Sequence, residues 1–137
     1  LDPWFTAGRL SECIRGSNRA VKAVLMDQKR LAGVGNIYAN EALWRAGIRP
    51  SRRASALTRA QCATLHRELT GVLRAAVAAR GTSFRDYRDA FGARGGFASQ
   101  LQAYGRGGEP CARCGALLQS SHAIDGRATV WCRSCQK

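Results

Sequence analysis

Residues 20–50 read AVKAVLMDQKRLAGVGNIYANEALWRAGIRP, and the fold is decided in this stretch. Val21, Val24 and Leu25, with Leu31 beyond them, recur at helical spacing and predict a helix over residues 20–31. Gly33-Val34-Gly35 predicts a tight turn. Asn36 follows, and Asn is among the best helix N-caps because its short side chain accepts first-turn N–H groups. A second helix is therefore expected over 37–47, carrying Ile37, Leu43, Trp44 and Ala46, with Glu41 in its first half. Gly47 is its expected stop, and Pro50 bars continuation. Physically, the turn from Gly33 to Asn36 suits phosphate binding. Glycines let a strand approach the backbone, and the N–H groups of a helix start point outward with the positive end of the dipole.

Outward from this pair, Thr6 or Ser11 is expected to cap a short helix bearing Leu10, Cys13 and Ile14. The plainest helix lies over 59–80. Thr58 and Gln61 form a capping-box pair, and Leu57 and Cys62 sit at hydrophobic-staple positions. Cys62, Leu65, Leu69, Val72, Leu73, Ala76 and Val77 make a wide apolar stripe, and Gly81 ends it. A further short helix is expected over 82–90, started by Thr82 or Ser83. Gly92, Gly95, Gly96, Gly105, Gly107 and Gly108 mark 92–108 as a loop or linker. The expected organisation is thus a helical domain over 1–91, a glycine-rich segment over 92–108 and a small module over 109–137.

That module contains Cys111-Ala-Arg-Cys114 and Cys132-Arg-Ser-Cys135, two C-x2-C pairs separated by 17 residues. Two residues between cysteines let both thiolates of a turn face one ion, and two such turns complete a tetrahedron around zinc. Gly115 suits a tight knuckle. Residues 116–118 and 128–131 are expected as two short strands, with the Asp125-Gly126 dipeptide favouring a hairpin between them. Disulfides compete with this reading, but nothing points to secretion. A redox C-x-x-C usually occurs singly beside a βαβ pattern, and none is visible. Four cysteine ligands fill the coordination sphere, so one structural Zn²⁺ is expected, supplying folding energy that so small a module lacks. Cys13 and Cys62 have apolar neighbours and read as core residues. His66 sits mid-helix beside Arg67, and His122 lies between the cysteine pairs.

Composition narrows the partner. The chain has 137 residues, 22 Lys plus Arg, 9 Asp plus Glu and a formal charge of +13. Lysine occurs only at Lys22, Lys29 and Lys137, so the basic set is mostly arginine. A hydrophobic share of 45% argues against wholesale disorder. No apolar run approaches the roughly 20 residues that span a bilayer, and no secretory h-region opens the sequence. Such charge on a small body points to a polyanion, nucleic acid first among them. The chain starts at Leu1 and its one methionine is Met26, so an excised domain, a processed product or a fragment is expected.

The stretch 25–50 resembles the helix–two-turns–helix motif of bacterial formamidopyrimidine-DNA glycosylases. Residues 104–114, YGRGGEPCARC, continuing through 127–137, RATVWCRSCQK, are similar to that family's C-terminal zinc finger down to the final Gln-Lys. The run GTSFRDY at 81–87 and the approach to Cys111 favour this branch over the endonuclease VIII branch. The resemblance covers nearly the whole chain. It implies a mainly α fold, a helix–two-turns–helix domain followed by a four-cysteine β-hairpin zinc finger. It also implies a monomer acting on damaged double-stranded DNA, in the bacterial cytoplasm at the nucleoid.

Family members begin with a proline nucleophile followed by glutamate, ahead of a β-sandwich domain. Here Pro3 is not terminal and Trp4 follows it, while Glu109-Pro110 has the reverse order. The resemblance therefore implies the DNA-binding C-terminal portion of a bifunctional glycosylase/AP lyase for oxidised purines such as 8-oxoguanine and formamidopyrimidine. Its catalytic residues would lie in a partner N-terminal domain, and this portion would be inactive alone. By the same resemblance Gly35, Asn36, Lys22 and Arg127 contact DNA phosphates. Residues 82–100 match a mobile loop over the everted base, although Gly95-Gly96-Phe97 departs from the family's Gly-Tyr-Phe. Two other readings stand beside it: a non-catalytic zinc-containing module that binds damaged or abasic DNA, and a zinc-ribbon RNA-binding or interaction protein.

Overall fold

The computed structural model describes residues 6–27, 34–79 and 97–137. Thr6 is extended and its hydroxyl accepts the Arg9 N–H at 3.2 Å, which starts α1 (Ala7–Arg15). Leu10 and Ile14, one turn apart, bury completely. The helix α2 (Val21–Leu25) is shorter than the 20–31 helix that the periodicity predicts. Its start is set by chain pairing rather than by a cap. The Val21 and Lys22 N–H groups donate to the carbonyls of Arg52 at 2.7 Å and Pro50 at 3.2 Å. At its other end Asp27, a weak helix former, takes an ion pair from Arg19 at 3.2 Å instead of continuing the helix. Lys29, Arg30, Leu31 and Gly33 lie outside the described residues.

α3 (Asn36–Ala46) begins one residue earlier than expected. Gly35, not Asn36, is its N-cap, in extended backbone and without a side-chain cap. The Asn36 amide is used elsewhere, donating to the carbonyl of Ala128 at 3.0 Å. Gly47 ends the helix as the sequence indicates. It adopts φ +72°, and its N–H returns to the carbonyls of Leu43 and Trp44.

A 3-10 turn, Ala54–Ala56, leads into α4 (Arg59–Ala78). Both halves of the capping box are present, Gln61 N–H to Thr58 Oγ1 at 3.1 Å and Thr58 N–H to Gln61 Oε1 at 2.9 Å. The staple residues Leu57 and Cys62 are both buried. The stripe holds through Ala76, which packs with Phe97 and Leu101, but Val77, one residue on, faces away from that cluster and is 72% exposed. Gly81 and the helix expected over 82–90 lie outside the described residues.

The hairpin pairs β1 (Gln119–Ser121) with β2 (Thr129–Trp131), antiparallel, with Ser120 opposite Val130. The first strand is thus displaced from the expected 116–118. Those residues serve the first cysteine knuckle instead, where Cys111 N–H donates to Ala116 O at 2.7 Å and Leu118 N–H to Glu109 O at 2.8 Å. The connection over 122–128 is also longer than a two-residue Asp-Gly turn, and Gly126 N–H closes it on His122 O at 3.0 Å.

Every residue of α3 from Ala39 to Trp44 is buried, which places this helix at the centre. Ala39, Ala42 and Leu43 join Leu10, Ile14, Leu65 and Leu69 in the main core. Trp44 enters a second cluster with Ala103, Cys111, Leu118, Val130 and Cys132. Ile37 and Tyr38 pack on a third, where α4 meets Phe97 and Leu101. Within the expected 92–108 loop, residues 97–100 form a 3-10 turn and Phe97 is fully buried, its ring 5.9 Å from that of Tyr38. Replacing Thr58 by Ala removes the α4 cap and is expected to lower the unfolding free energy by about 1 kcal/mol. Val77→Ala, on the exposed turn, should stay within about 0.5 kcal/mol of the parent in the same urea titration.

Candidate nucleic-acid interface and metal centre

The four cysteines come together as the spacing predicts. The sulfurs of Cys111, Cys114, Cys132 and Cys135 all lie within 4.8 Å of one another. Cys111 and Cys135 are 3.9 Å apart and Cys114 and Cys132 3.4 Å apart. Four thiolates at about 2.3 Å from one zinc stand about 3.8 Å from each other, so the donor set and its spacing fit a tetrahedral ion. Gly115, at φ +81°, turns its N–H back to Cys111 O at 2.8 Å and shapes the knuckle.

Burial alone pushes the Cys111 thiol up. N–H donors from Cys114, Arg113 and the Trp44 indole more than reverse this and bring it down to about 6. The Trp44 Nε1 is buried and makes no formed hydrogen bond among the described residues, so its pull on this sulfur is electrostatic. Cys114 is also lowered, chiefly by the Ala116 amide. Cys135 is pushed up to about 12 by burial and by its three thiol neighbours. Sulfurs so crowded cannot all be thiolates without a cation among them. The cluster could therefore hold a metal ion.

The hairpin is fastened to α3 by side chains the sequence reading passed over. Asn40, fully buried, donates to Asn36 O at 2.9 Å and to Ala128 O at 3.2 Å, and its Oδ1 accepts Val130 N–H at 2.8 Å. Glu41, equally buried, accepts three backbone N–H groups, from Gln102 at 2.8 Å, Ala103 at 2.7 Å and Tyr104 at 2.8 Å. Gln136 bridges the second knuckle to the end of α3, accepting Cys132 N–H at 2.7 Å and donating to Ile48 O at 2.9 Å. Arg113 lies 3.7 Å over the Trp44 ring and donates to the Trp44 carbonyl. A signal was present: Asn40 and Glu41 are polar residues among the buried positions Ala39, Ala42 and Leu43 of one helix.

The four residues expected at DNA fall in one region but differ in exposure. Gly35 and Asn36 form the uncapped start of α3, where first-turn N–H groups have no intrahelical acceptor. Gly35 has φ −93°, and among the described residues an added Cβ would meet only the Tyr38 ring, at 3.7 Å. Arg127 is exposed on the hairpin turn. The Asn36–Ala128 hydrogen bond ties that turn directly to the α3 start. Lys22 is not the solvent-facing helix cation that a direct phosphate contact calls for. Its side chain is 0% exposed and its Nζ is 2.9 Å from both carboxylate oxygens of Asp125. Burial lowers its pKa, against the opposing pull of the Asp125 hydrogen bond. Cys62 is in the main core and Cys13 packs against it, as expected. No helix among the described residues is long and apolar enough to cross a membrane.

The arrangement defines a class: a helical domain whose central helix offers an N-terminus with no side-chain cap beside a hairpin that presents Arg127 and is built on a four-cysteine centre. Residues 1–88 match the formamidopyrimidine-DNA glycosylase H2TH domain, and the chain belongs to that family. It is 48% identical over 136 residues to the formamidopyrimidine-DNA glycosylase of Desulfitobacterium hafniense, covering 99% of this chain and 50% of that protein. The crystal structure of the MutM (Fpg) protein from Thermus thermophilus matches with TM-score 0.86 and 40% identity, over 99% of this chain and 52% of that one. The Lactococcus lactis Fpg in complex with DNA containing an abasic site matches with TM-score 0.83 and 35% identity, over 97% of this chain and 48% of that one. The chain thus spans about half the length of the relatives it matches. For Glu41→Gln, which sets a donor among three backbone donors, a loss of about 2–3 kcal/mol is expected, read as a lower urea midpoint.

Proposed function

We propose that this chain is the DNA-holding part of a base-excision-repair glycosylase/AP lyase for oxidised purines such as 8-oxoguanine and formamidopyrimidine. The observation that carries the reading is the Asn36–Ala128 bond, which sets the uncapped start of α3 and the Arg127 turn side by side. A helix N-terminus and an exposed guanidinium, held at fixed separation, are two phosphate-binding devices of different kinds. Gly35, where an added Cβ would meet only Tyr38 among the described residues, leaves room for a strand to approach the backbone. The formal charge of +13 supplies the longer-range attraction.

In this role the chain grips the backbone around a lesion while the base is extruded from the duplex. The backbone N–H groups of Asn36 and its α3 neighbours take one phosphate, and Arg127 takes another. The bond-breaking nucleophile and its proton-transfer partner are not among these residues. The 137-residue chain should bind a duplex holding an abasic site yet leave an 8-oxoguanine duplex uncut. Strand cleavage by the purified chain would place the nucleophile within it and overturn this division of roles.

The metal proposed is one Zn²⁺, held by Cys111, Cys114, Cys132 and Cys135. With all four positions filled by thiolate it has no open site for a reacting group, so its contribution is to fold the hairpin. Native mass spectrometry should give one zinc per chain. Chelation should abolish DNA binding while far-UV helicity from α1, α3 and α4 persists. Binding that survives complete zinc removal would contradict the role given to the hairpin. Arg127→Ala should weaken binding to the abasic-site duplex and reduce the slope of log K against log salt by about one, as expected for one lost phosphate contact.

A further inference from the structure

Lys22 and Asp125 are 103 residues apart in sequence and meet at 2.9 Å, with the ammonium fully buried. Asp125 does more than neutralise it. Its Oδ1 also accepts the backbone N–H of Arg127 at 3.1 Å, and Gly126 between them turns the chain at φ +79°. One carboxylate therefore touches a buried cation on α2 and fixes the backbone of the residue that presents the exposed guanidinium. Buried ion pairs are often replaceable by apolar residues without loss of stability, so stability alone is weak reason for this one.

We propose that Lys22 and Asp125 are positioning residues for Arg127: Asp125 fixes the turn, and Lys22 occupies its carboxylate so that the guanidinium stays available to phosphate. The inference rests on the reading of Arg127 as a phosphate contact. An Asp two residues before an Arg on one tight turn is an internal competitor for that arginine. With Lys22 bound to both oxygens, the competitor is neutralised and held on the inner side of the turn. Lys22 then acts on DNA only through Arg127.

A double-mutant cycle on the zinc-loaded 137-residue chain tests this, read as affinity for an abasic-site duplex across a salt series. Lys22→Met keeps the buried aliphatic stem and frees the Asp125 carboxylate. It should weaken binding about tenfold and lower the salt slope by about one, as losing Arg127 does. In the Arg127→Ala background, Lys22→Met should change neither quantity. Lys22→Met combined with Asp125→Asn removes the competing charge and should restore affinity to within about threefold of the parent. Zinc stoichiometry and helicity report folding, and the double variant carries no unpaired buried charge should a single one unfold. Two outcomes overturn the proposal: a further loss from Lys22→Met when Arg127 is already Ala, or no recovery in the double variant. Either would mean that Lys22 does not act through Arg127. If Arg127→Ala alone binds like the parent, the reading of Arg127 fails first, and the two failures are thereby distinguished.

Discussion

Asn40 and Glu41 are buried polar residues on a helix that is otherwise core, and the rest of the structure depends on what they bind. A buried amide and a buried carboxylate cost free energy unless their hydrogen bonds are met. Here they are met across the fold, by Val130 N–H and Ala128 O in one direction and by three successive amides, 102–104, in the other. Residues 97–108 and the hairpin are therefore held to α3 by specific bonds as well as by apolar contact. Because unmade bonds at these positions are so costly, the geometry tolerates little sliding.

Function follows from that rigidity. A phosphate grip needs its donors at fixed separation, and a solvent-exposed arginine on a free hairpin would not provide it. The hairpin module is fixed at four places along α3: Asn36 and Asn40 at its start and middle, Trp44 under the first knuckle, and Gln136 at its end. The four-cysteine cluster closes the far side, where Arg113 stacks on Trp44. In the proposed reading, zinc, α3 and the Lys22–Asp125 pair converge on the position of Arg127.

Local signals gave the local features. The Thr58–Gln61 box, the Thr6 cap, the Gly47 stop and the four-cysteine cluster each depend on residues a few positions apart or on a fixed spacing, and they were legible. The errors arose where distant chain competed. Periodicity ran α2 on to residue 31, but pairing with Pro50 and Arg52 sets its start and the Asp27 ion pair its end. Asn36 looked like a cap until its amide proved to be committed to Ala128, 92 residues away. Lys22 is expected at a phosphate by resemblance, and nothing local announces its partner 103 residues on. The first strand slipped by three residues because the knuckle had already claimed 116–118. Side-chain bonds across the chain decided the candidate site, and such bonds leave little mark on hydropathy.

In the proposed function the start of α3 and the Arg127 turn form one phosphate-binding unit. Amide hydrogen exchange on the zinc-loaded chain, with and without an abasic-site duplex, tests it most directly. DNA should slow exchange at residues 35–37 and at 125–128 together, over the same range of duplex concentration. Protection confined to one of these segments, or found only on the distant faces of α1 and α4, would contradict it.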